Sequence, residues 1–234
     1  MVYKMLWFLV VCFIIQSSFA QQHEIITKEH EAIIRISSES TVGDLDKLRM
    51  ELHKGLDAGL SINKAKEALI HLHAYAGFPR SIRGLQTLMA VVDERQNKGI
   101  KDIAGDEASP IKNDKTKYER GKAILQQLTG IQENDIKTGY AAFAPTIEVF
   151  LKEHLFADLF ERDVLTYLER ELVTISVIAS IGRAEPMLRS HLNICLNLGC
   201  STVFLHQFVQ IINELQGEVR GTEAGSVLKE ILRK

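Results

Sequence analysis

The chain has 234 residues, and its 28 basic and 30 acidic side chains give a formal net charge of −2 at pH 7. This balance provides no basic field of the kind that binds nucleic acid or an anionic membrane surface. The cysteines are too few for the disulfide framework of a small secreted protein. The length is sufficient for one large or two small domains.

Residues 1–20 have the pattern of a secretory signal peptide. Lys4 provides a positive start, residues 5–15 form an apolar run, and Ser18 and Ala20 place small residues at a cleavage site. The apolar run is too short for a comfortable membrane span, although an uncleaved anchor stays an alternative. We therefore expect cleavage after Ala20, export to a periplasmic or secreted location, and no stable membrane insertion of the mature chain.

Helical periodicity covers nearly all of the remaining chain, and strand signals are almost absent. Gly59 and Gly77 stand where predicted helices of the first half end, and Gly199 does the same in the second half. The predicted helices are 27–38, 42–58, 61–76, 81–96, 118–128, 145–155, 164–181, 186–198, 202–216 and 222–232. Residues 98–117 are rich in Gly, Asp and Lys and are predicted to be a linker.

The sequence repeats itself under a shift of 140 positions, without a gap. The matched pairs include Glu31 and Glu171, Leu52 and Leu192, Gly59 and Gly199, and Gly77 and Gly217. Apolar positions dominate these matches, and the glycines fall at predicted helix ends. The repeat predicts one helical fold built twice, at residues 21–97 and 118–234, with the two copies related by a pseudo-twofold axis.

Several segments, in order along the chain, resemble the carboxymuconolactone decarboxylase family. They are residues 118–121 (Tyr-Glu-Arg-Gly), 143–145 (Phe-Ala-Pro), 153–156 (Glu-His-Leu-Phe) and 170–175 (Arg-Glu-Leu-Val-Thr-Ile). His191, ahead of the turn at Gly199, matches the family histidine. In the first copy, residues 71–79 (His-Leu-His-Ala-Tyr-Ala-Gly-Phe-Pro) resemble the closing phrase of the family.

This resemblance implies an all-α, alkylhydroperoxidase D-like bundle, present here in two tandem copies, and a ring-like homo-oligomer. It also implies the chemistry of either lactone-linked decarboxylases or thiol enzymes. The thiol enzymes carry a Cys-x-x-Cys motif a few residues before the family histidine, and residues 183–190 contain no cysteine. Dithiol peroxidase chemistry is therefore not expected.

His191 and Glu171 are the predicted catalytic residues. Histidine exchanges protons near neutral pH, and Glu171 lies in an apolar stretch where burial suits a carboxyl group to proton transfer. The first copy keeps Glu31 but has Glu51 in place of the histidine, so the fold does not require His191. The alternatives are a partly exposed histidine and a structural glutamate. If the two helices form a simple hairpin, the two side chains would lie several ångströms apart along the helix axes.

Four further residues are predicted to bind substrate. Arg162 would hold a carboxylate, with a surface arginine as the alternative. His71 and Tyr75 belong to the phrase that only the first copy keeps, and they are predicted to help close a single site per chain. Cys195 follows His191 by one helical turn, so a Cys–His nucleophile and a buried core cysteine are both open.

Neither a metal nor a cofactor is predicted. His71 and His73 lie two positions apart, on different sides of a helix, and the sequence contains no His-x-x-x-His pair. The predicted function is cofactor-free decarboxylation, or related proton transfer, on a small carboxylated or lactone compound by a homo-oligomer (trimer or dimer). Two alternatives stay open: a non-catalytic binding or scaffold protein, and a thiol redox protein that uses Cys195 and Cys200 as free thiols.

Overall fold

The structure is a computed structural model that describes residues 22–111, 114–134 and 136–233. Within these ranges the protein is all-α, as predicted, and an isolated bridge between His23 and Cys200 is the β-type pairing present. The predicted signal peptide lies outside the described residues. Among the helices that are described, none combines the length and the apolar character that a membrane span needs.

The helices follow one another along the chain with short connections, apart from the predicted linker region. They are α1 (Lys28–Val42), α2 (Leu45–Asp57), α3 (Ile62–His71), α4 (His73–Asn97), α5 (Lys117–Thr129), α6 (Gly139–Phe143), α7 (Pro145–Phe150), a π-helix (Leu151–Phe160), α8 (Tyr167–Ile181), α9 (Glu185–Asn197) and α10 (Thr202–Ile231). The prediction of one α-helix over residues 145–155 is wrong in type, because the wider π-helix replaces it from Leu151.

Ser and Thr side chains determine where several helices begin. Each accepts a hydrogen bond from a backbone N–H three residues later, which satisfies a donor that the first helical turn leaves unpaired. The residues that do this are Thr27, Ser61, Thr116, Thr166 and Ser201. Thr116 and Thr166 also form reciprocal capping boxes with Glu119 and Glu169.

Local structure recurs at the spacing of the sequence repeat. The bounds of α2 and α9 are equivalent under the shift of 140 positions. Gly59 has φ 98° and Gly199 has φ 92°. Gly77 interrupts α4 with φ 80° and ψ 162°, and Gly217 interrupts α10 with φ 81° and ψ 173°. Only glycine adopts such angles at little cost, so both breaks depend on the residue type.

Two apolar clusters position the site. The larger joins α1, α2 and α3 to α8, α9 and α10, with α1 packed against α8. The smaller joins α5 to the π-helix and to Ile194 of α9. At Gly121 the backbones of α5 and the π-helix approach so closely that an added Cβ would lie 1.8 Å from the carbonyl oxygen of Lys152. This second cluster forms one wall of the pocket described below.

Candidate functional site

Glu171 and His191 form a direct pair between α8 and α9. His191 Nδ1 lies 2.8 Å from Glu171 Oε2. Glu171 is fully buried, whereas the His191 side chain is 14% exposed. The prediction that the two side chains lie several ångströms apart along the helix axes is wrong. It assumed that α8 ends and α9 begins at the same height. Residues 182–184 separate α8 from α9, so residue counts do not fix the relative level of the helices.

The chemistry of the partners assigns the proton on this histidine. A carboxylate only accepts hydrogen bonds, so His191 Nδ1 donates to Glu171 and Nε2 is the nitrogen left for exchange. Glu171 Oε1 is buried and makes no hydrogen bond to any described residue. His191 is thus the main support of a buried carboxylate and also presents its ring to a pocket.

The pocket beside His191 has a volume of about 630 Å³. Its walls are mostly apolar and include Leu125, Leu151, Leu155, Phe156, Ile178 and Ile194. Tyr75, Thr129, Tyr140 and Ser190 bring hydroxyl groups to the lining. Among the described residues that line it there is no Lys or Arg. Such a cavity suits a small molecule with an apolar body and few polar contacts.

Tyr75 brings α4, from the N-terminal half of the chain, into this pocket. Its ring lies edge-on to His191, with 6.0 Å between the ring centroids. Its hydroxyl lies 3.1 Å from Thr174 Oγ1 of α8, which fixes the end of the side chain. Burial and the nearby Glu171 raise the pKa of Tyr75, so its hydroxyl stays protonated and can act as a donor.

His71 is a neighbour of Tyr75 but does not line the pocket. Arg170 Nη1 lies 3.3 Å from His71 Nδ1, and a guanidinium only donates, so Nδ1 accepts and Nε2 carries the hydrogen. His71 Nε2 lies 3.1 Å from Thr174 Oγ1 and donates to it. Burial, together with the charge of Arg170, lowers the pKa of His71 well below its ordinary value. The residue is therefore a neutral, fully buried connector.

Arg162 is directed to a glutamate rather than to the pocket. Its Nε and Nη2 atoms lie 2.8 and 2.9 Å from the two carboxylate oxygens of Glu67 on α3. The buried Arg170 adds a third contact, with Nη2 2.8 Å from Glu67 Oε1. Although burial opposes it, these hydrogen bonds lower the pKa of Glu67. Sequence reasoning did not select Glu67, whose only signal was an acidic residue at a core-facing position of α3.

Cys195 and Cys200 are free, buried thiols. Cys195 belongs to the large apolar cluster and does not line the pocket, although it follows His191 by one helical turn. A hydrogen bond with Cys200, and then burial, raise the pKa of Cys195 well above its ordinary value. These surroundings disfavour the thiolate, which is the reactive form of cysteine.

No family model matches this chain, and no curated protein matches it. In the described part of the chain, no group of three or more His, Cys, Asp and Glu side chains is arranged to hold a metal ion.

Proposed function

We propose that this protein catalyses cofactor-free proton transfer on a small, largely apolar molecule, with His191 as the group that exchanges the proton. The observation that carries the proposal is the fully buried Glu171 held 2.8 Å from the Nδ1 atom of a histidine that lines an apolar pocket. A carboxylate in that place orients the ring and stabilises the imidazolium form, as it does in other His–carboxylate pairs.

Each polar group then has one role. His191 Nε2 gives or takes the proton, and Glu171 holds the opposite side of the ring. The Tyr75 hydroxyl donates to the oxygen on which negative charge develops, an arrangement that contributes most where water is excluded. The apolar wall keeps water from the reacting carbon. No step requires a bound metal or an organic cofactor.

The resemblance to carboxymuconolactone decarboxylases supports decarboxylation as the specific reaction. The bond from carbon to the carboxylate would break, its electron pair would remain on the substrate as a dienolate, carbon dioxide would leave, and His191 Nε2–H would protonate the carbon. Arg162 is not assigned to this step, because its Nε and Nη2 atoms donate to Glu67 and the residue does not line the pocket. In our proposal the imidazolium of His191 supplies the positive charge that attracts the carboxylate before the bond breaks.

A solvent-exchange screen tests the proposal. A panel of carboxylated lactones and 3-oxo acids would be incubated in deuterated buffer, with carbon dioxide release and carbon-bound deuterium followed by NMR. His191→Gln is expected to lower the rate about 100-fold or more, the usual scale for removing a general acid or base. Glu51→Gln changes the equivalent position of the first copy and is expected to retain the rate. Equal rates for His191→Gln and the parent protein would refute the proposal.

A binding protein that retains the fold without the chemistry is the second candidate. The absence of Lys and Arg from the described pocket lining favours it, since most carboxylate sites include one of them. The same screen separates the two, because a binding protein would show saturable ligand shifts with no turnover in the parent protein.

We also infer a two-copy architecture, export and self-association. The matching glycine breaks at Gly77 and Gly217 support the first, and the sequence of residues 1–20 supports the second. Self-association is supported by exposed apolar side chains on α6 and α7, among which Phe143 is 93% exposed and Phe150 60% exposed. Light scattering tests self-association, and a monomer would contradict it. N-terminal sequencing of the exported protein tests cleavage of the signal peptide, and a chain that starts at Met1 would contradict it.

A further inference from the structure

A second cavity adjoins the pocket beside His191. It has a volume of about 310 Å³ and is lined by the connection between α5 and α6 and by the first residues of the π-helix. Leu125, Tyr140 and Leu151 line both cavities, so the two lie side by side. Tyr140 is 61% exposed, and exposed side chains change rotamer readily. A ligand in the first pocket can thus extend past Tyr140 into the second cavity.

The second cavity is charged where the first is mostly apolar. Glu133, Lys137, Glu148 and Lys152 belong to its lining. Lys152 Nζ lies 2.6 Å from Glu148 Oε1 and 2.9 Å from Glu133 Oε2. Its third contact, at 3.4 Å, is the Tyr118 hydroxyl. Lys152 therefore uses its three donors inside the protein and has none left for a ligand.

Glu148 is likewise committed to internal partners. Its Oε1 accepts from the Tyr118 hydroxyl at 2.7 Å and from Lys152, and its Oε2 lies 2.8 Å from Lys137 Nζ. Burial opposes the charged form, but the hydrogen bonds from Lys137 and Lys152 lower the pKa of Glu148 to about 2. The carboxylate therefore stays charged and holds Lys137 at the cavity.

Lys137 and Asn134 bring unused donors to the cavity. Lys137 directs one of its three N–H bonds to Glu148, and its side chain is 36% exposed. Asn134 Oδ1 accepts from the Ile136 N–H at 3.0 Å, which leaves the amide NH₂ group for another partner. Donors of this kind select a group that only accepts hydrogen bonds, and a carboxylate is such a group.

We propose that the second cavity binds the carboxylate end of an elongated, mostly apolar substrate, with Lys137 as the cationic partner. The inference rests on the proposed function for the other end of the substrate, whose reacting carbon would lie at His191. It explains how an acidic ligand is held although the described lining of the first pocket contains no Lys or Arg. Lys137 is thus the residue that selects an acid over the corresponding alcohol.

Displacement of a neutral fluorescent probe, N-phenyl-1-naphthylamine, tests this site. The probe would occupy the apolar pocket, and octanoate and octan-1-ol would compete with it at neutral pH. The two competitors share their apolar chain and differ in the charged group. Lys137→Gln should weaken octanoate binding about threefold to tenfold, the scale of a hydrogen bond to a partly exposed charge, and should leave octan-1-ol binding unchanged.

Two further variants accompany this measurement. Glu133→Gln removes a negative charge from the same lining and should therefore strengthen octanoate binding without affecting octan-1-ol. Lys98→Gln is the matched control, because Lys98 is also paired with a glutamate, 2.6 Å from Glu94, and lines neither cavity. This control should leave both affinities unchanged.

The outcomes separate the possible positions of the carboxylate. A loss in Lys137→Gln that is confined to octanoate supports the proposal. Octanoate binding that His191→Gln weakens and Lys137→Gln does not would place the carboxylate at His191 and overturn it. Equal losses for both competitors in Lys137→Gln, or no octanoate binding by the parent protein, also overturn it. Octanoate binding requires no turnover, so this proposal and the proposed reaction can fail independently.

Discussion

Replacing His191 by Ala tests whether the buried Glu171 depends on its partner. Glu171 is 0% exposed, its Oε2 is held by His191, and its Oε1 makes no hydrogen bond to any described residue. Removing one partner of a buried pair typically costs 3–5 kcal/mol, whereas a substitution at a partly exposed position costs about 1 kcal/mol. We expect the larger value, of about 3 kcal/mol, because the carboxylate would retain no partner among the described side chains.

Urea unfolding followed by circular dichroism measures this loss. Glu51→Ala is the control at the position that matches His191 under the shift of 140 residues, and its partner is the largely exposed Lys54. This substitution leaves no buried charge without a partner, so we expect it to lower the free energy of unfolding by about 1 kcal/mol or less.

A double substitution separates loss of the pair from loss of packing. Glu171→Leu with His191→Leu removes both polar partners, and such exchanges are often close to neutral. The double variant is therefore expected to be more stable than His191→Ala alone. If His191→Ala costs less than about 1 kcal/mol, or if the double variant is the less stable of the two, the reasoning about a dependent buried carboxylate is refuted.

Three further predictions follow from particular contacts. Gly121→Ala should destabilise the protein by about 1–3 kcal/mol, because the added Cβ would overlap the Lys152 carbonyl oxygen. In the control Gly225→Ala, the Cβ meets Val209 at an ordinary 3.5 Å, so this variant should be neutral or stabilising. Equal urea unfolding midpoints of the two variants would contradict this prediction. Because the pKa of His71 is lowered in the folded protein, the contribution of His71 to stability is complete above pH 6.5, its ordinary pKa. This contribution is lost as the pH falls below 6.5, at up to about 1.4 kcal/mol per pH unit. His71→Gln should flatten this slope in urea titrations, and an unchanged slope would show that His71 is not its source. The raised pKa of Cys195 predicts slow iodoacetamide labelling of the native protein. It also predicts no thiol-dependent reduction of an alkyl hydroperoxide. Hydroperoxide turnover that Cys195→Ser abolishes would contradict this prediction.

The helices were predictable because their signals are local. Periodicity locates them, and caps such as Ser61 and Ser201 mark their starts within three residues of the partner N–H. The break at Gly77 was predicted from residue type alone and is present in the structure. The π-helix was not predicted, because its apolar pattern over residues 151–160 also fits an α-helix.

The contacts of the site were less predictable because their partners are far apart in sequence. Glu67 lies 95 positions from Arg162 and 103 from Arg170, so nothing local showed that it would accept hydrogen bonds from both. Residue type selected His191 and Tyr75, which line the pocket, and Glu171, which is buried behind His191. Only packing could show that Arg162, His71 and Cys195 lie outside the pocket lining.

Thr174 is the residue through which α8 fixes Tyr75 of α4, and its replacement by Val tests that coupling. Its Oγ1 lies 3.1 Å from His71 Nε2, 3.1 Å from the Tyr75 hydroxyl and 3.0 Å from the Arg170 carbonyl oxygen. Valine preserves the shape but leaves a buried His71 N–H without its acceptor, at a cost of about 1–3 kcal/mol. If Tyr75 stabilises developing charge in the proposed reaction, Thr174→Val should also lower kcat with little change in KM, as Tyr75→Phe should. A Thr174→Val protein that loses stability but keeps its kcat would show that the contact holds α4 and α8 together without serving the site.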